Sequence, residues 1–289
     1  MDDRFKEYLE KQGLKKQTAI NYLGKLKQLL KRAEVVGKNI DTMSLDELYQ
    51  FKNQYKEEGF ALATIKQHFV SLKYYYRFIG RKNNPAVKMR FEKRQQTLPT
   101  NQLTLHEMLD LYRSYPVYTM KDKRDVVILG VMIFQGLKRA EVEQLELHHI
   151  DTSEGTIYIP STSQTNSRTI KLEAIQMECL LDYIYDIREK LLQEKKKETN
   201  RLFFSLGTGT KMDNVLQHSL QTLRMKNKYF KSFTQLRESR ISLWIQENGI
   251  RKTQYLSGMK YASSLERYQT KDIEKLRQKI SLVHPMERI

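Results

Sequence analysis

Apolar residues recur at intervals of three and four through most of the first ninety positions, the spacing that places them on one face of an α-helix. Gly13 and Gly59 interrupt this pattern, and Ser44, followed closely by two acidic residues, is a typical helix N-terminus. Asn84-Pro85 is expected to stop the last helix. Little room remains for strands, so we predict a domain of four helices over residues 1–90. The four segments are residues 2–12, 16–30, 45–59 and 63–80.

The pattern changes after a polar stretch at residues 91–103, which we interpret as a linker. Thr104, with Glu107 three residues later, forms a capping box and predicts a helix start. Two short segments between residues 155 and 172 alternate between apolar and polar residues, which indicates a β-hairpin. Residues 104–289 are therefore predicted to form a second domain, mainly α-helical with a small antiparallel sheet. Its predicted helices include residues 107–115, 123–135, 136–142 and 174–190.

The chain carries a large positive charge. Its 289 residues include 51 lysines and arginines against 34 acidic residues, a formal net charge of +17. Basic residues are in excess in both parts, with 21 against 11 in residues 1–94 and 30 against 23 in the remainder. A polyanion is the expected partner. No apolar stretch approaches the roughly 18 residues of a membrane span, so double-stranded DNA is favoured and a membrane is not.

Composition also limits the redox and metal chemistry. Cys179 is the only cysteine, which excludes an internal disulfide and a multi-cysteine metal site. We expect this side chain to pack as a small apolar group. No signal pattern follows Met1, so the sequence predicts a cytoplasmic protein.

The segment from Phe233 to Tyr268 contains the candidate chemistry. Arg237 lies near its start and Tyr268 at its end. The planar guanidinium of an arginine binds two oxygens of one phosphate, and an activated phenol can form a covalent bond to phosphorus. Such a pair is common in basic helical chains, so its meaning depends on the rest of the sequence.

Further stretches occur in a consistent order around this pair. They are Gln17-Thr18-Ala19-Ile20-Asn21-Tyr22, Ala63-Thr64-Ile65, Asn84-Pro85-Ala86, Leu98-Pro99, Gly136-Leu137-Lys138-Arg139-Ala140-Glu141 and His284-Pro285. With Arg237 and Tyr268 they resemble the tyrosine recombinase (phage integrase) family, most nearly its Xer-type and simple integrase members. The resemblance covers nearly the whole chain.

The resemblance implies a fold and an activity. The fold would be a four-helix core-DNA-binding (SAM-like) domain, then a mixed α catalytic domain with a small antiparallel β-sheet. The activity would be DNA recombination or integration for a mobile genetic element, through a 3′-phosphotyrosyl intermediate and without metal or nucleotide cofactor. The partners would be double-stranded DNA and further protomers, like or unlike, forming a dimer to tetramer on DNA. An apolar stripe after Tyr268 would either pack on its own domain or, as the resemblance implies, dock on a neighbouring protomer.

The same resemblance assigns site residues. Tyr268 would be the nucleophile, Arg237 a phosphate ligand and Glu141 a supporting residue. Four family positions hold other residues here: Lys138 replaces an arginine, Ser163 a hairpin lysine, and Thr234 and Met259 two histidines. The candidate substitutes are Arg139 for the arginine and Lys171 or Lys260 for the lysine. The candidate DNA contacts are Lys16, Thr18, Asn21, Lys66, Lys73, Arg168 and Arg240.

Two functions remain open at this stage. The chain is a DNA strand transferase with an atypical or weakened active site, or it is an inactive recombinase-fold protein that binds DNA in an accessory or architectural role. The match of both Arg237 and Tyr268 to the family spacing favours the first function. The four departures favour the second. A helical regulator unrelated to recombinases would leave the order of the motifs unexplained.

Overall fold

The computed structural model describes residues 2–92, 101–207 and 212–268. The chain divides into two compact units, residues 1–95 and 96–289, and each has its own hydrophobic core. Two residues of the predicted linker belong to these cores. Phe91 packs against the first core, and Leu103 is buried in the second.

The first unit is helical throughout its described residues. Its helices are α1 (Asp2–Lys11), α2 (Lys16–Val35), α3 (Leu45–Glu57), α4 (Leu62–Phe78) and α5 (Pro85–Lys88). The capping box predicted by Ser44 is present, since its Oγ accepts from the Glu47 N–H. Asn84-Pro85 differs from its predicted role as a stop. The Asn84 side chain accepts from the Ala86 N–H and, with proline in the first turn, begins α5.

Helices also dominate the second unit. They are α6 (Leu105–Arg113), α7 (Met120–Phe134), α8 (Arg139–Val142), a 3₁₀ turn (Leu147–His149), α9 (Ala174–Asp182), a π-helical segment (Tyr183–Ile187), α10 (Arg188–Lys195), α11 (Asp213–Lys226) and α12 (Phe233–Ser257). Helix α12 is kinked at Gly249, where the backbone leaves helical geometry. Thr104 and Glu107 form the predicted capping box at the start of α6.

Helix α7 forms the centre of the second core. Every residue from Arg124 to Phe134 is buried, which is the pattern of a helix covered on all sides. Its N-terminus is fixed by a capping box between Thr119 and Asp122. The chain then turns at Gly136, which has a φ of +58°, and leads directly into α8. The residues of this turn form one wall of the candidate site.

A three-stranded antiparallel sheet lies beside these helices, in the order β1 (Ile150–Asp151), β2 (Thr156–Ile159), β3 (Arg168–Lys171). Strands β2 and β3 are the predicted hairpin, with Ile157 opposite Ile170. The residues after β2 return toward α12, because Thr165 forms an isolated bridge with Met259. This bridge connects the hairpin turn to the chain that follows α12.

The predicted fold class is confirmed: the described chain is mainly helical with one small antiparallel sheet. Within that part of the chain, no helix is long and apolar enough to cross a membrane. The predicted apolar stripe behind Tyr268 lies outside the described residues, as does most of the predicted linker.

Candidate active site

Arg237 lies in the first turns of α12, beneath the turn between α7 and α8. Helix α12 begins at this point because the Ser232 side chain accepts from the Gln235 N–H. The Arg237 guanidinium is buried and donates to the Gly136 carbonyl through Nη1 and to the Ser257 carbonyl through Nη2 at 2.7 Å. Burial lowers the pKa of Arg237 to about 10. The side chain is therefore a cation held by two backbone carbonyls, one in the turn before α8 and one at the far end of α12.

Glu141 lies between two buried arginines. Its Oε1 accepts from Arg168 Nη1 at 2.7 Å, and its Oε2 lies 3.4 Å from Arg237 Nη1. Oε2 also accepts from the Lys138 N–H at 2.7 Å. Burial alone would raise the pKa of Glu141, but the Arg168 and Arg237 guanidiniums and this N–H hold it below its ordinary range. Glu141 is an ionised carboxylate that connects α8, β3 and α12.

Arg168 corrects a sequence prediction. It was expected to contact DNA, but its side chain is fully buried. Its Nε donates to the Leu256 carbonyl at 2.8 Å, while Nη2 has no hydrogen-bond partner among the described residues. Gly258 accommodates this guanidinium. Its φ is +66°, and a Cβ there would overlap Arg168 Nη1, so glycine is required on both counts.

Four predicted site residues line one cleft of about 620 Å³: Lys138, Arg139, Thr234 and Arg237. The Lys138 side chain is partly buried, and its Nζ lies 3.5 Å from Gln164 Oε1 in the hairpin turn. Burial and the nearby charge of Arg237 lower the pKa of Lys138. Arg139 is exposed and pairs with Glu143 at 3.3 Å. Thr234 is exposed at the start of α12.

The other family positions lie around the hairpin turn. Ser163 is exposed within that turn, so the expected location of the hairpin lysine holds a small hydroxyl. Met259 is half-buried and bridges to Thr165. The two candidate substitutes, Lys171 and Lys260, are both exposed, and neither is among the described residues that line the cleft.

Tyr268 is buried in the core of the second unit, with only 1% of its surface exposed. Its hydroxyl accepts from Arg267 Nη2 at 2.7 Å, and the same nitrogen lies 2.9 Å from Glu238 Oε1. Burial raises the pKa of Tyr268, while the charges of Arg267 and Arg237 act in the opposite direction. The described residues that line the cleft do not include Tyr268. The charge of Arg237 therefore acts on the Tyr268 phenol, but in this conformation the phenol is buried away from solvent.

Arg240 also differs from its predicted role as a DNA contact. It is buried, and its Nε donates to the Phe134 carbonyl at 2.9 Å. Its Nη2 lies 3.3 Å from Glu173 Oε1, and the guanidinium lies over the ring of Trp244. Arg240 therefore connects α12 to the end of α7, and its charge is used inside the unit.

The remaining candidate DNA contacts lie on α2 and α4 of the first unit. Lys16, Asn21 and Lys66 are exposed, and Thr18 and Lys73 are partly exposed. The two helices pack together, with Ser71 Oγ donating to the Tyr22 carbonyl at 2.6 Å. All five side chains are thus available to a ligand on a paired-helix scaffold.

The sequence did not identify three of the contacts that build the site. The contacts of Arg168 with Glu141 and of Lys138 with Gln164 join residues that only the tertiary structure brings together. Arg267 and Tyr268 are neighbours in the chain, and their contact depends on the conformation of the two side chains. A signal for the first was present, since Arg168 and Ile170 share the buried face of β3. A charged residue on the apolar face of a strand requires an acidic partner. No group of three or more metal-ligating side chains occurs within the described ranges.

Comparison with known proteins extends over both units. Residues 3–83 match the sequence profile described as phage integrase, N-terminal SAM-like domain, and residues 101–275 match that of the phage integrase family. The tyrosine recombinase XerD of Staphylococcus saprophyticus is 23% identical over 298 aligned positions, which cover 99% of each chain. XerC of Oceanobacillus iheyensis is 24% identical over 157 residues, covering 53% of this chain and 51% of that recombinase.

Solved structures show the same fold at low sequence identity. The XerH site-specific recombinase bound to its difH substrate before cleavage superposes with a TM-score of 0.67 at 16% identity, covering 88% of this chain and 76% of that one. A lambda integrase dimer bound to a COC′ core site gives 0.63 at 18% identity, covering 92% and 75%. The Tn1549 transposon integrase in complex with transposon right end DNA gives 0.62 at 14% identity, covering 92% and 93%.

Proposed function

Because the chain belongs to the phage integrase family of tyrosine recombinases, we propose that it cuts and rejoins double-stranded DNA through a covalent bond between Tyr268 and a 3′ phosphate. The Tyr268 Oη attacks phosphorus, the bond from phosphorus to the 5′ oxygen breaks, and the 5′ end of a second strand later reverses the step. The energy of the phosphodiester is kept in the phosphotyrosine, so the reaction needs no nucleotide cofactor.

One observation carries this proposal: the buried array of Arg168, Glu141 and Arg237 keeps a guanidinium at the wall of an open cleft. Three contacts hold Arg237 to Gly136, Glu141 and Ser257. A guanidinium has five N–H groups. Within the described part of the chain, two of those of Arg237 make no hydrogen bond, so they can bind a phosphate. A rigid cation of this kind stabilises the charge that develops on a phosphate during transfer.

Lys138 supplies a second positive charge at the same cleft. Lysine keeps the charge of the arginine that the family has at this position but lacks its two-pronged geometry. Thr234 and Met259 cannot act as bases near neutral pH, so the site has fewer proton-transfer groups than the family pattern. We expect cleavage to be slower than in recombinases with the full set.

The first unit would hold the DNA. The five candidate DNA contacts on α2 and α4 include three lysines, and each part of the chain carries an excess of basic residues. Contacts of lysine with phosphates would position a duplex without reading its sequence. The lambda integrase structures include a dimer on a core site and a tetramer on a Holliday junction. By analogy we propose a dimer or tetramer of this chain, or of this chain with a relative, on DNA in the cytoplasm.

A second function, DNA binding without cleavage, is favoured by a different observation. The Tyr268 hydroxyl is enclosed and hydrogen-bonded to Arg267, away from the described lining of the cleft. If the phenol stays buried when DNA binds, the chain would bind a DNA site without cleaving it, beside an active partner. Catalysis requires that Tyr268 leave its contact with Arg267 when DNA is bound.

Covalent trapping distinguishes the two functions. Nicked duplexes from the genomic neighbourhood of the coding sequence would be incubated with the protein and separated on a denaturing gel. A nick close to the scissile phosphate lets the short fragment that carries the released 5′ hydroxyl diffuse away, which traps the adduct. We expect an adduct with wild type and none with Tyr268→Phe. Tyr261→Phe removes a nearby exposed phenol and serves as the matched control.

A further inference from the structure

Strand cleavage needs a proton for the leaving 5′ oxygen, because an alkoxide is a poor leaving group near neutral pH. Besides Arg237, five side chains that line the cleft carry an N–H or O–H: those of Lys138, Arg139, Gln217, Ser232 and Thr234. Guanidinium groups keep their protons near neutral pH, and neither an amide nor an aliphatic hydroxyl ionises in this range. Among the described lining residues, only the ammonium of Lys138 can give up a proton.

The position of Lys138 suits this role. Its backbone is fixed at the start of α8, because its N–H donates to Glu141 Oε2 at 2.7 Å. The side chain extends across the cleft wall until Nζ lies 3.5 Å from Gln164 Oε1. Lys138 therefore spans from the Arg237 wall to the hairpin turn, where the side chains of residues 161–167 include no lysine.

The hairpin turn that receives Lys138 is held in place by several contacts. Thr162 N donates to the Thr165 carbonyl at 2.9 Å, and their hydroxyls lie 2.8 Å apart. Thr165 in turn bridges to Met259. The backbone of Gln164 is part of this turn, since its N–H donates to Thr162 Oγ1 at 3.1 Å, and its exposed amide oxygen is the acceptor that lies closest to the ammonium.

The charges around Lys138 favour release of its proton. The nearest carboxylate, that of Glu141, is already held by Arg168 and Arg237, so it is only partly available to a third cation. The hydrogen-bond partner of Nζ is a neutral amide. Burial and repulsion from Arg237 lower the pKa of Lys138, which makes the ammonium a stronger acid than a lysine in water.

We propose that Lys138 is the general acid of this active site as well as a phosphate cation. This inference rests on the proposed function. As the Tyr268 Oη bonds to phosphorus and the bond to the 5′ oxygen breaks, an N–H proton moves from Nζ to that oxygen, which leaves as a hydroxyl. Lys138 becomes a neutral amine, and the phenol proton passes to water. In rejoining, the amine takes the proton back from the incoming 5′ hydroxyl.

The test compares two leaving groups in wild type and Lys138→Arg. One nicked duplex carries the natural 5′ oxygen at the scissile phosphate, and the other carries a bridging 5′ sulfur. A thiolate leaves without a proton, whereas an alkoxide needs one. Arginine keeps the charge and cannot act as an acid, so we expect cleavage of the oxygen duplex to slow by about 10²–10³. Cleavage of the sulfur duplex should stay within a few-fold of wild type.

Three outcomes would overturn the proposal. Equal or faster cleavage of the oxygen duplex by Lys138→Arg would show that Lys138 only binds phosphate, since the family uses arginine there. Equal slowing on both duplexes would show that the contribution of Lys138 does not depend on the leaving group, so that Lys138 is not the acid. Wild type that cleaves only the sulfur duplex would show that no acid operates. Lys190→Arg, on the surface of α10, controls for the substitution itself and should leave both rates unchanged.

Failure of the proposed function has a separate signature. If wild-type protein binds both duplexes but forms no adduct on either, the proposed strand transfer and the proposed acid role of Lys138 are both wrong. An adduct with wild type on both duplexes establishes the activity. The behaviour of Lys138→Arg then decides the role of Lys138 alone.

Discussion

Arg168 and Glu141 form a fully buried ion pair, with 2.7 Å between Nη1 and Oε1, directly behind the guanidinium of Arg237. The pair connects the hairpin to α8, and through Arg237 to α12. Its energetic role follows from its burial. Removal of one partner leaves the other charge without compensation in a medium of low polarity.

Arg168→Met should therefore destabilise the second unit strongly. We expect a loss of about 3–5 kcal/mol in the free energy of unfolding, the usual cost of breaking a buried pair. Urea denaturation followed by circular dichroism measures it. The matched control is Lys123→Met, which removes a half-exposed pair with Asp182 and should change stability little. Similar effects for the two variants would show that the Arg168 pair is not structural.

Stability should also depend on the charge of Glu141. Its folded pKa lies below its ordinary value of 4.5, because the two guanidiniums outweigh the effect of burial. A carboxylate with a depressed folded pKa contributes stability above its unfolded pKa and loses it as pH falls through the folded pKa. The difference in unfolding free energy between wild type and Glu141→Gln should thus shrink as pH falls below about 4.5. A difference that stays constant down to acid pH would contradict this.

Gly258 should tolerate no side chain. Its positive φ and the adjacent Arg168 guanidinium both disfavour a Cβ. Gly155 shares a positive φ of +60° but faces open space, so Gly155→Ala isolates the backbone cost, about 1–2 kcal/mol. We expect Gly258→Ala to lower the unfolding free energy by more than Gly155→Ala. It should also reduce adduct formation, since it displaces Arg168. Equal costs would show that Arg168 moves aside freely.

The elements that the sequence predicted best are those fixed by local patterns. Ser44 and Thr104 each begin a helix because a glutamate three residues later completes the cap. The hairpin followed from alternation over β2 and β3. These features depend on neighbours within a few residues, which a single sequence displays directly.

The interior of the site could not be predicted in the same way. Arg168 and Arg240 are basic residues in a basic chain, so their charge suggested a DNA surface. Their actual partners, Glu141 and the Phe134 carbonyl, lie 27 and 106 positions away in the sequence. Only the folded chain brings such groups together. Arg237 and Lys138, which the family resemblance assigned to the site, line one cleft in the folded chain.

DNA binding by the first unit should depend on salt. We expect affinity to fall steeply as salt rises, because lysine contacts release counterions from phosphates. The double variant Lys16→Ala, Lys66→Ala should weaken binding to all sequences alike and reduce the salt slope by about 2. Lys190→Ala removes one surface charge in the second unit and is the control. Fluorescence anisotropy over a salt series gives both quantities. An unchanged salt slope would show that these two lysines do not contact phosphates.

In the proposed reaction Tyr268 becomes bonded to DNA. The most direct test of this bond is mass spectrometry of the trapped complex after nuclease and protease digestion. We expect a nucleotide-modified peptide that contains Tyr268, absent from Tyr268→Phe and present in Tyr261→Phe. Tyr268→Phe should keep wild-type DNA affinity, because only a hydroxyl is lost. An adduct that maps to another tyrosine, or that survives in Tyr268→Phe, would contradict the assignment of the nucleophile. The absence of any adduct from wild-type protein that binds these duplexes would contradict the proposed function.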